Sequence, residues 1–380
     1  MGAHAGLPLA GYRVVELAGI GPGPHACQLL ADLGAEVLVV HRPGPDVPAV
    51  DSRGKRSLVL DLRRDGAAEV VLALAARADI LVEGNRPGVA ERLGVGPDAC
   101  RARNPRLVYA RMTGWGQTGP WAGMAGHDIN YLSITGALLA MGRADEPPPP
   151  PLNLVGDYGG GSLFLALGVV SALLAAQATG QGAVVDAAIV DGTASLLGIL
   201  HTLTAAGHWT TARGANLLDG GAPYYRCYRT SDGQFMAVGA IEPQFFRTLL
   251  EVLGIEAAAF GLQNDRARWP QQHRLLETAF GARTRAAWAT LFDGVDACVT
   301  PVLDYAEATA HPHNAARGSH VVSDGLVHPR PAPRFSGGES AWTPGPVRPR
   351  GADSRDILGE AGLDADAIED LFQRGVVFGA

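Results

Sequence analysis

The sequence predicts an α/β fold built on a doubly wound parallel sheet, and three observations carry that expectation. Short apolar, β-branched runs recur through the N-terminal half, at Tyr12–Leu17, Ala35–Val40, Ser57–Leu62, Asp79–Val82 and Leu107–Met112. Helix-patterned segments separate most of them. The turns after several strands are rich in Gly and Pro. Strands alternating with helices imply βαβ crossovers and a ligand at the carboxyl ends of the strands.

Tyr12–Leu17 is the first strand, Gly19–Pro24 the turn after it, and His25–Leu33 the first helix, with Ala35–Val40 as the second strand. This strand–helix–strand unit tempts a dinucleotide fingerprint, but Pro24 stands at the third-glycine position. His41 and Arg42 follow the second strand, where an acidic residue would hold an NAD ribose. Ser57–Leu62 is the third strand, Asp65–Arg77 a helix, and Asp79–Val82 the next strand. Asn85–Gly88 is a loop, Val89–Leu93 starts a helix, and Leu107–Met112 is a further strand.

The later chain begins with a helix-like run, Ile129–Met141, and a stiff connector, Pro147–Pro151. The apolar helix Leu163–Ala176, a strand at Ala183–Ile189 and the helix Asp191–Ala206 follow, then a loop over Arg213–Pro223. From Tyr224 the texture changes. Tyr225–Gly239 reads as a hairpin turning at Asp232-Gly233, and Glu242-Pro243 opens a helix with Pro at its first turn. Helical segments continue to Phe292, and Cys298–Val302 is a short strand, so a second, smaller α+β domain is expected. His311–Arg350, rich in Pro, Arg and Gly, reads as an extended return, and Asp356–Arg374 as a helical tail.

The chain has 380 residues and 47% hydrophobic content, enough for two domains. A net charge of -7 gives no nucleic-acid footprint. Arg42, Arg53, Lys55, Arg56, Arg63, Arg64, Arg86 and Arg92 nevertheless concentrate positive charge early in the chain. They suit a phosphorylated small molecule or, equally, a solvated surface. Cys27, Cys100, Cys227 and Cys298 are scattered without CxxC spacing, so neither a metal site nor a disulfide framework is expected. No leader and no uninterrupted apolar run of membrane-spanning length stands out, so a cytoplasmic protein without membrane insertion is expected.

Chemistry concentrates between Thr113 and Gly168. A glycine-rich loop with Trp115 and Trp121 leads to His127 and Asp128 at a helix entrance, and Asp157 precedes the long apolar helix. Read alone, Asp157 is a helix cap and His127 a hydrogen-bonded loop residue. Read together, an imidazole and a carboxylate beside a helix N-terminus form a site for proton chemistry next to a developing oxyanion.

Five motifs carry a family resemblance: Glu16-Leu-Ala-Gly-Ile-Gly-Pro-Gly, Met112-Thr-Gly-Trp-Gly-Gln-Thr-Gly-Pro, Gly126-His-Asp-Ile-Asn-Tyr, Leu154-Val-Gly-Asp-Tyr-Gly-Gly-Gly and Gly239-Ala-Ile-Glu-Pro-Gln-Phe. Together they resemble the α-methylacyl-CoA racemases of the family III CoA-transferase (CaiB/BaiF) superfamily, over residues 8 to about 340. The resemblance implies a Rossmann-like large domain over residues 1–200, completed by 336–380, and a small α+β domain over 225–320. Residues 201–224 and 321–335 would link them. It also implies an interlocked homodimer whose active sites are shared between subunits.

By the same resemblance, His127 and Asp157 are the two acid/base groups and Glu242 pairs with His127. CoA, part of the substrate rather than a cofactor, would be held by Ile20, Arg42, Leu60, Asp61, Leu62, Asn85, Arg86, Val89 and Arg92, with Tyr131 near the thioester. Lys55 and Arg56 are further phosphate candidates. The implied reaction is racemisation of 2-methylacyl-CoA thioesters without cofactor or metal, the N–H of Asp157 serving the enolate oxygen. The alternative is CoA transfer between carboxylic acids with Asp157 as nucleophile. His127 and the Asp219-Gly-Gly-Ala-Pro segment, in place of a longer glycine run, favour the racemase.

Overall fold

The computed structural model describes residues 6–45, 50–336 and 342–379. In chain order the strands are β1 (Arg13–Leu17), β2 (Glu36–His41), β3 (Arg56–Leu60), β4 (Ile80–Glu83), β5 (Val108–Thr113), β6 (Val184–Ala188), β7 (Tyr225–Arg229), β8 (Phe235–Gly239), β9 (Val299–Pro301), β10 (His320–Ser323), β11 (Leu326–Pro329) and β12 (Val377–Phe378). The chain packs as two compact units, Met1–Thr135 with Pro151–Leu196 and Ala316–Ala380, and Gly136–Pro150 with Leu197–Ala315.

The first unit holds a seven-stranded sheet in the order β12-β3-β2-β1-β4-β5-β6. Neighbours are parallel except β12, which runs antiparallel to β3 and pairs Val377 with Leu60. The six parallel strands thus follow the doubly wound order, which reverses between β1 and β4. Residues in a strand alternate between faces. Val15, Leu38 and Leu58 pack on one side, where α2 (Ala67–Ala75) and the C-terminal helices Ser354–Glu360 and Ala365–Gln373 lie. Val14, Val37 and Ile80 pack on the other, against α1 (Pro22–Asp32) and the long helix α6 (Leu163–Thr179).

Both faces are covered, which explains why the strands read as continuous apolar runs rather than alternating ones. Two shorter helices, α3 (Val89–Arg92) and α4 (Pro97–Arg103), connect β4 to β5. In α6 the buried residues Leu165, Val169, Leu173 and Ala176 fall on one stripe. A nine-residue π-helical segment, Leu154–Ser162, runs directly into α6. Together they form 26 helical residues with the length and hydropathy of a membrane span, a run the sequence reading did not credit. One stripe of α6 is spent on the sheet core instead.

The second unit has the antiparallel sheet β7-β8-β9. The expected hairpin is present, pairing Tyr225 with Gly239 and Arg229 with Phe235 around Asp232-Gly233. Its core is aromatic, with Tyr228 stacked on Phe280 and Trp288 edge-on to the same ring.

Several expectations are corrected. The helix expected over Ile129–Met141 is α5 (Asp128–Thr135) and stops at Gly136, whose left-handed φ of 86° ends it. Residues 136–150 pack with the second unit, not with the large one. The helix expected over Asp191–Ala206 is two, α7 (Ile189–Leu196) and α8 (Gly198–Ala205), and the units divide between them. Residues 201–224 are part of the second unit rather than a linker, with Ala222 and Tyr224 in its core. The return segment is not simply extended, because β10 and β11 pair around Asp324-Gly325, both at positive φ (51° and 76°). That is the backbone of a tight hairpin turn.

Candidate active site

The turns after β1, β2, β4 and β5 surround one cavity of about 950 Å³. It sits at the carboxyl ends of the strands, where the strand order reverses, as expected for a doubly wound sheet. Its lining includes His127 and Asp157, together with Ile20, Arg42, Asn85, Arg86 and Tyr131. Seven of the thirteen residues picked from sequence therefore meet at one place.

Each is held by its local structure. Ile20, at the tip of the Gly19–Pro24 turn, is 84% exposed. Arg42 follows β2 and donates from Nη2 to Asn85 Oδ1 at 3.0 Å, while the Asn85 N–H donates to Glu83 Oε2 at 2.7 Å. The loops after β2 and β4 are thereby tied across the switch point. Tyr131 lies in α5, donates its hydroxyl to the Gly126 carbonyl and sits edge-on to Trp115 at 4.7 Å. His127 precedes α5, and its N–H donates to Asn130 Oδ1 at 3.1 Å while its carbonyl accepts the Asn130 N–H at 2.8 Å. These bonds fix the backbone and leave the imidazole exposed on the cavity wall.

Asp157 is not the N-cap that the sequence suggested. It is the fourth residue of the π-helical segment, within the first turn, where backbone N–H groups have no intrahelical acceptor. The Asp128 carboxylate accepts that N–H at 2.7 Å through Oδ1. The donor assigned above to an enolate oxygen is thus already engaged. The approach requires a glycine before Asp157, since a Cβ on Gly156 would lie 2.2 Å from Asp128 Oδ1. Burial first, and then the neighbouring Asp128 charge, push the Asp157 carboxyl up to about 6, against the opposing influence of His127. Burial also raises Asp128 itself, and the Asp157 and Gly156 N–H groups lower it.

The π-helical segment is anchored on α1. His25 Nδ1 and Ser162 Oγ are 2.6 Å apart, and the His25 ring stacks on Tyr158 at 4.4 Å. The turn between β1 and α1 is held from below. The buried Lys55 Nζ donates to Glu16 Oε2 at 2.8 Å and to the Pro24 carbonyl at 2.9 Å.

The other candidates lie off the cavity lining. Leu60 is fully buried in the sheet core, and Leu62 packs against that core. Asp61 pairs with Arg63 at 2.9 Å, which holds its carboxyl below the usual range. Val89 and Arg92 belong to α3. Lys55 and Arg56 are not phosphate ligands here, because Lys55 is spent on Glu16 and Arg56 pairs with Glu36 and Glu360. Arg53 is likewise buried against Asp32 at 2.6 Å. Of the early cations, Arg42 and Arg86 line the cavity, joined by Arg350 from the C-terminal segment, which the sequence reading did not single out. Glu242 lies in the second unit, exposed at the N-cap position of α9 (Pro243–Leu253).

Residues 9–353 match CoA-transferase family III. The α-methylacyl-CoA racemase of Mus musculus is 49% identical over 330 residues, covering 86% of both chains. The α-methylacyl-CoA racemase of Homo sapiens is 48% identical over the same length and shares. Among solved structures, a CAIB/BAIF family protein from Brucella suis superposes with a TM-score of 0.79 at 27% identity, covering 93% of this chain and 99% of that one. The chain belongs to the family III CoA-transferases.

Proposed function

From that membership we propose that the chain is a racemase of 2-methylacyl-CoA thioesters, working by α-proton removal and return through an enolate. The observation that carries the reading is the near-half identity to two racemases along most of the chain. The geometry is compatible, because an imidazole and a carboxyl of raised proton affinity line the same cavity. Inversion at a carbon needs a base on one face and an acid on the other. His127 takes the α-proton from one side and Asp157 delivers its own to the opposite side. One C–H bond breaks, one forms, and the pair ends with its proton on the other member. The reverse turnover exchanges the roles.

A carboxyl titrating near 6 serves both directions better than an ordinary carboxylate, since it is closer to neutrality in either state. The enolate oxygen is drawn towards the positive end of the helical run that starts at Leu154. Arg42 and Arg86 suit the diphosphate or 3′-phosphate of CoA, with Asn85 fixing the Arg42 fork. Asp61, Leu62, Val89 and Arg92 remain proposed contacts for the part of CoA that extends beyond the cavity, whereas Leu60, fully buried, is not one. No cofactor enters this scheme, CoA being part of the substrate. The working form is proposed to be an interlocked homodimer of a Rossmann-like domain and a small α+β domain. Glu242 from a second copy would then orient the His127 ring.

The family as a whole keeps CoA transfer as the alternative, with Asp157 attacking the thioester as nucleophile. Paired variants separate the two. His127→Ala is expected to lower α-proton exchange by at least ~10³-fold while CoA binding persists. If thioester exchange between free acids survives that change and is lost in Asp157→Ala, the transferase reading replaces the racemase.

A further inference from the structure

The chemistry above gives no role to Asp128, yet the chain commits a good deal to its placement. It opens α5, where a carboxylate gains from the helix N-terminus. It reaches across to a different helix, 29 residues further along the chain, to take the Asp157 N–H at 2.7 Å. The close approach needs Gly156, as shown above. Its second oxygen, Oδ2, is buried and has no hydrogen-bond partner among the described residues. A buried carboxylate oxygen left without a donor is costly, and a neutral Asn, Ser or Thr would cap the N–H with less penalty. The charge itself, rather than the acceptor atom, is what the arrangement preserves.

We propose that Asp128 is a positioning residue for the proton on Asp157: docked on the Asp157 N–H, its negative charge keeps the neighbouring carboxyl in the protonated form from which it delivers a proton to the enolate. The inference deepens the racemase reading and rests on it for its catalytic meaning. Two like charges held this close oppose each other's ionisation, so the second to ionise does so at higher pH. Helix-end charge and the N–H bonds from Gly156 and Asp157 favour the ionised form of Asp128, whereas Asp157 has no comparable donors among the described residues, so the proton stays on Asp157.

The groups facing the Asp157 carboxyl are few. His127 and Asp128 act on it directly, and the Tyr131 phenol, raised chiefly by burial, senses both Asp157 and Arg86. From α1, His25 is turned to Ser162 and Tyr158. From α7, Asp191 is exposed. None of these replaces Asp128 as the nearby negative charge.

The test is carboxyl carbon NMR of protein labelled at Asp Cγ, without substrate, with Asp157→Asn identifying the Asp157 signal. In the wild-type chain the Asp157 curve is expected to have its main midpoint near 6 and a smaller inflection at lower pH as Asp128 titrates. In Asp128→Asn, which keeps an acceptor oxygen for the N–H, the midpoint is expected to fall by about one pH unit. For the enantiomer whose α-proton goes to His127, the alkaline limb of kcat/KM for α-proton exchange, set by loss of the Asp157 proton, should move down with it, and Asp128→Glu should restore both. An unchanged midpoint in Asp128→Asn overturns the proposal and leaves Asp128 a structural cap. If that variant does not fold, a wild-type Asp157 curve with a single inflection in the ordinary carboxylate range overturns it equally. The NMR readout does not depend on turnover. A shifted midpoint in a protein that exchanges no α-proton would sink the racemase reading while leaving the coupling in place.

Discussion

Asp157 shows the tension between stability and chemistry most directly. Its folded value, about 6, lies above the ~3.9 of an unfolded Asp. Between those values the folded state binds more protons than the unfolded one. The stability associated with the neutral carboxyl is therefore fully present below about pH 4 and lost as the pH rises through about 6. Asp157→Asn, which cannot ionise, is predicted to melt above the wild type at pH 8, with the gap closing towards pH 4, in paired thermal scans. The group is only half-buried, so solvent screening reduces the size of the effect but not its sign. That His127 and Asp157 line one cavity was legible in the sequence because each stands in a glycine-rich or helix-entrance context. The link from Asp128 to the Asp157 N–H was not, because only the fold brings the residues together. Arg53 and Lys55 misled for the same reason. Their carboxylate partners, Asp32 and Glu16, lie 21 and 39 residues away, and nothing local distinguishes a buried ion pair from a phosphate ligand.

The turn from β1 into α1 depends on that buried pair. Lys55, at the entrance to β3, grips both the end of β1 through Glu16 and the first turn of α1 through the Pro24 carbonyl. Truncating one partner leaves an uncompensated charge, a loss of about 3–5 kcal/mol, whereas an apolar pair of similar volume recovers much of it. Lys55→Met is thus predicted to unfold at markedly lower denaturant than the wild type, and Lys55→Met with Glu16→Leu to lie between them. The parallel strands were legible as apolar runs because both sheet faces are covered. The breaks were less so. Gly136 ends α5 in the middle of an apolar run, and the Leu197-Gly198 break between α7 and α8 carries no proline. The β10–β11 hairpin did have a signal, Asp324-Gly325 between two short apolar pairs, obscured by the surrounding Pro and Arg.

The assembled molecule leaves a large apolar surface to explain. Leu152, Leu154, Leu163, Leu167 and Leu174 are each more than half exposed, and Asp157 is the one charged residue between Leu152 and Thr179. Exposed apolar side chains of this kind suit the homodimer proposed above. The proposed homodimer with shared sites makes a specific prediction. Light scattering should give twice the chain mass, and mixing inactive His127→Ala with inactive Glu242→Ala protein should restore activity through hybrid dimers carrying one intact site. Two inactive proteins that stay inactive after verified subunit exchange would place both residues of each site in one chain. The doubly wound sheet was legible in the alternation of strands and helices, whereas its strand order and the division of residues 136–150 and 197–224 between the units depend on long-range packing that no local pattern encodes. The most direct test of the central claim is proton NMR of one enantiomer of a 2-methylacyl-CoA incubated with the protein in deuterated water. Loss of the α-proton signal together with approach to the racemic mixture is the predicted result. An α-proton that persists unchanged over the same interval, with the enantiomer intact, would contradict it.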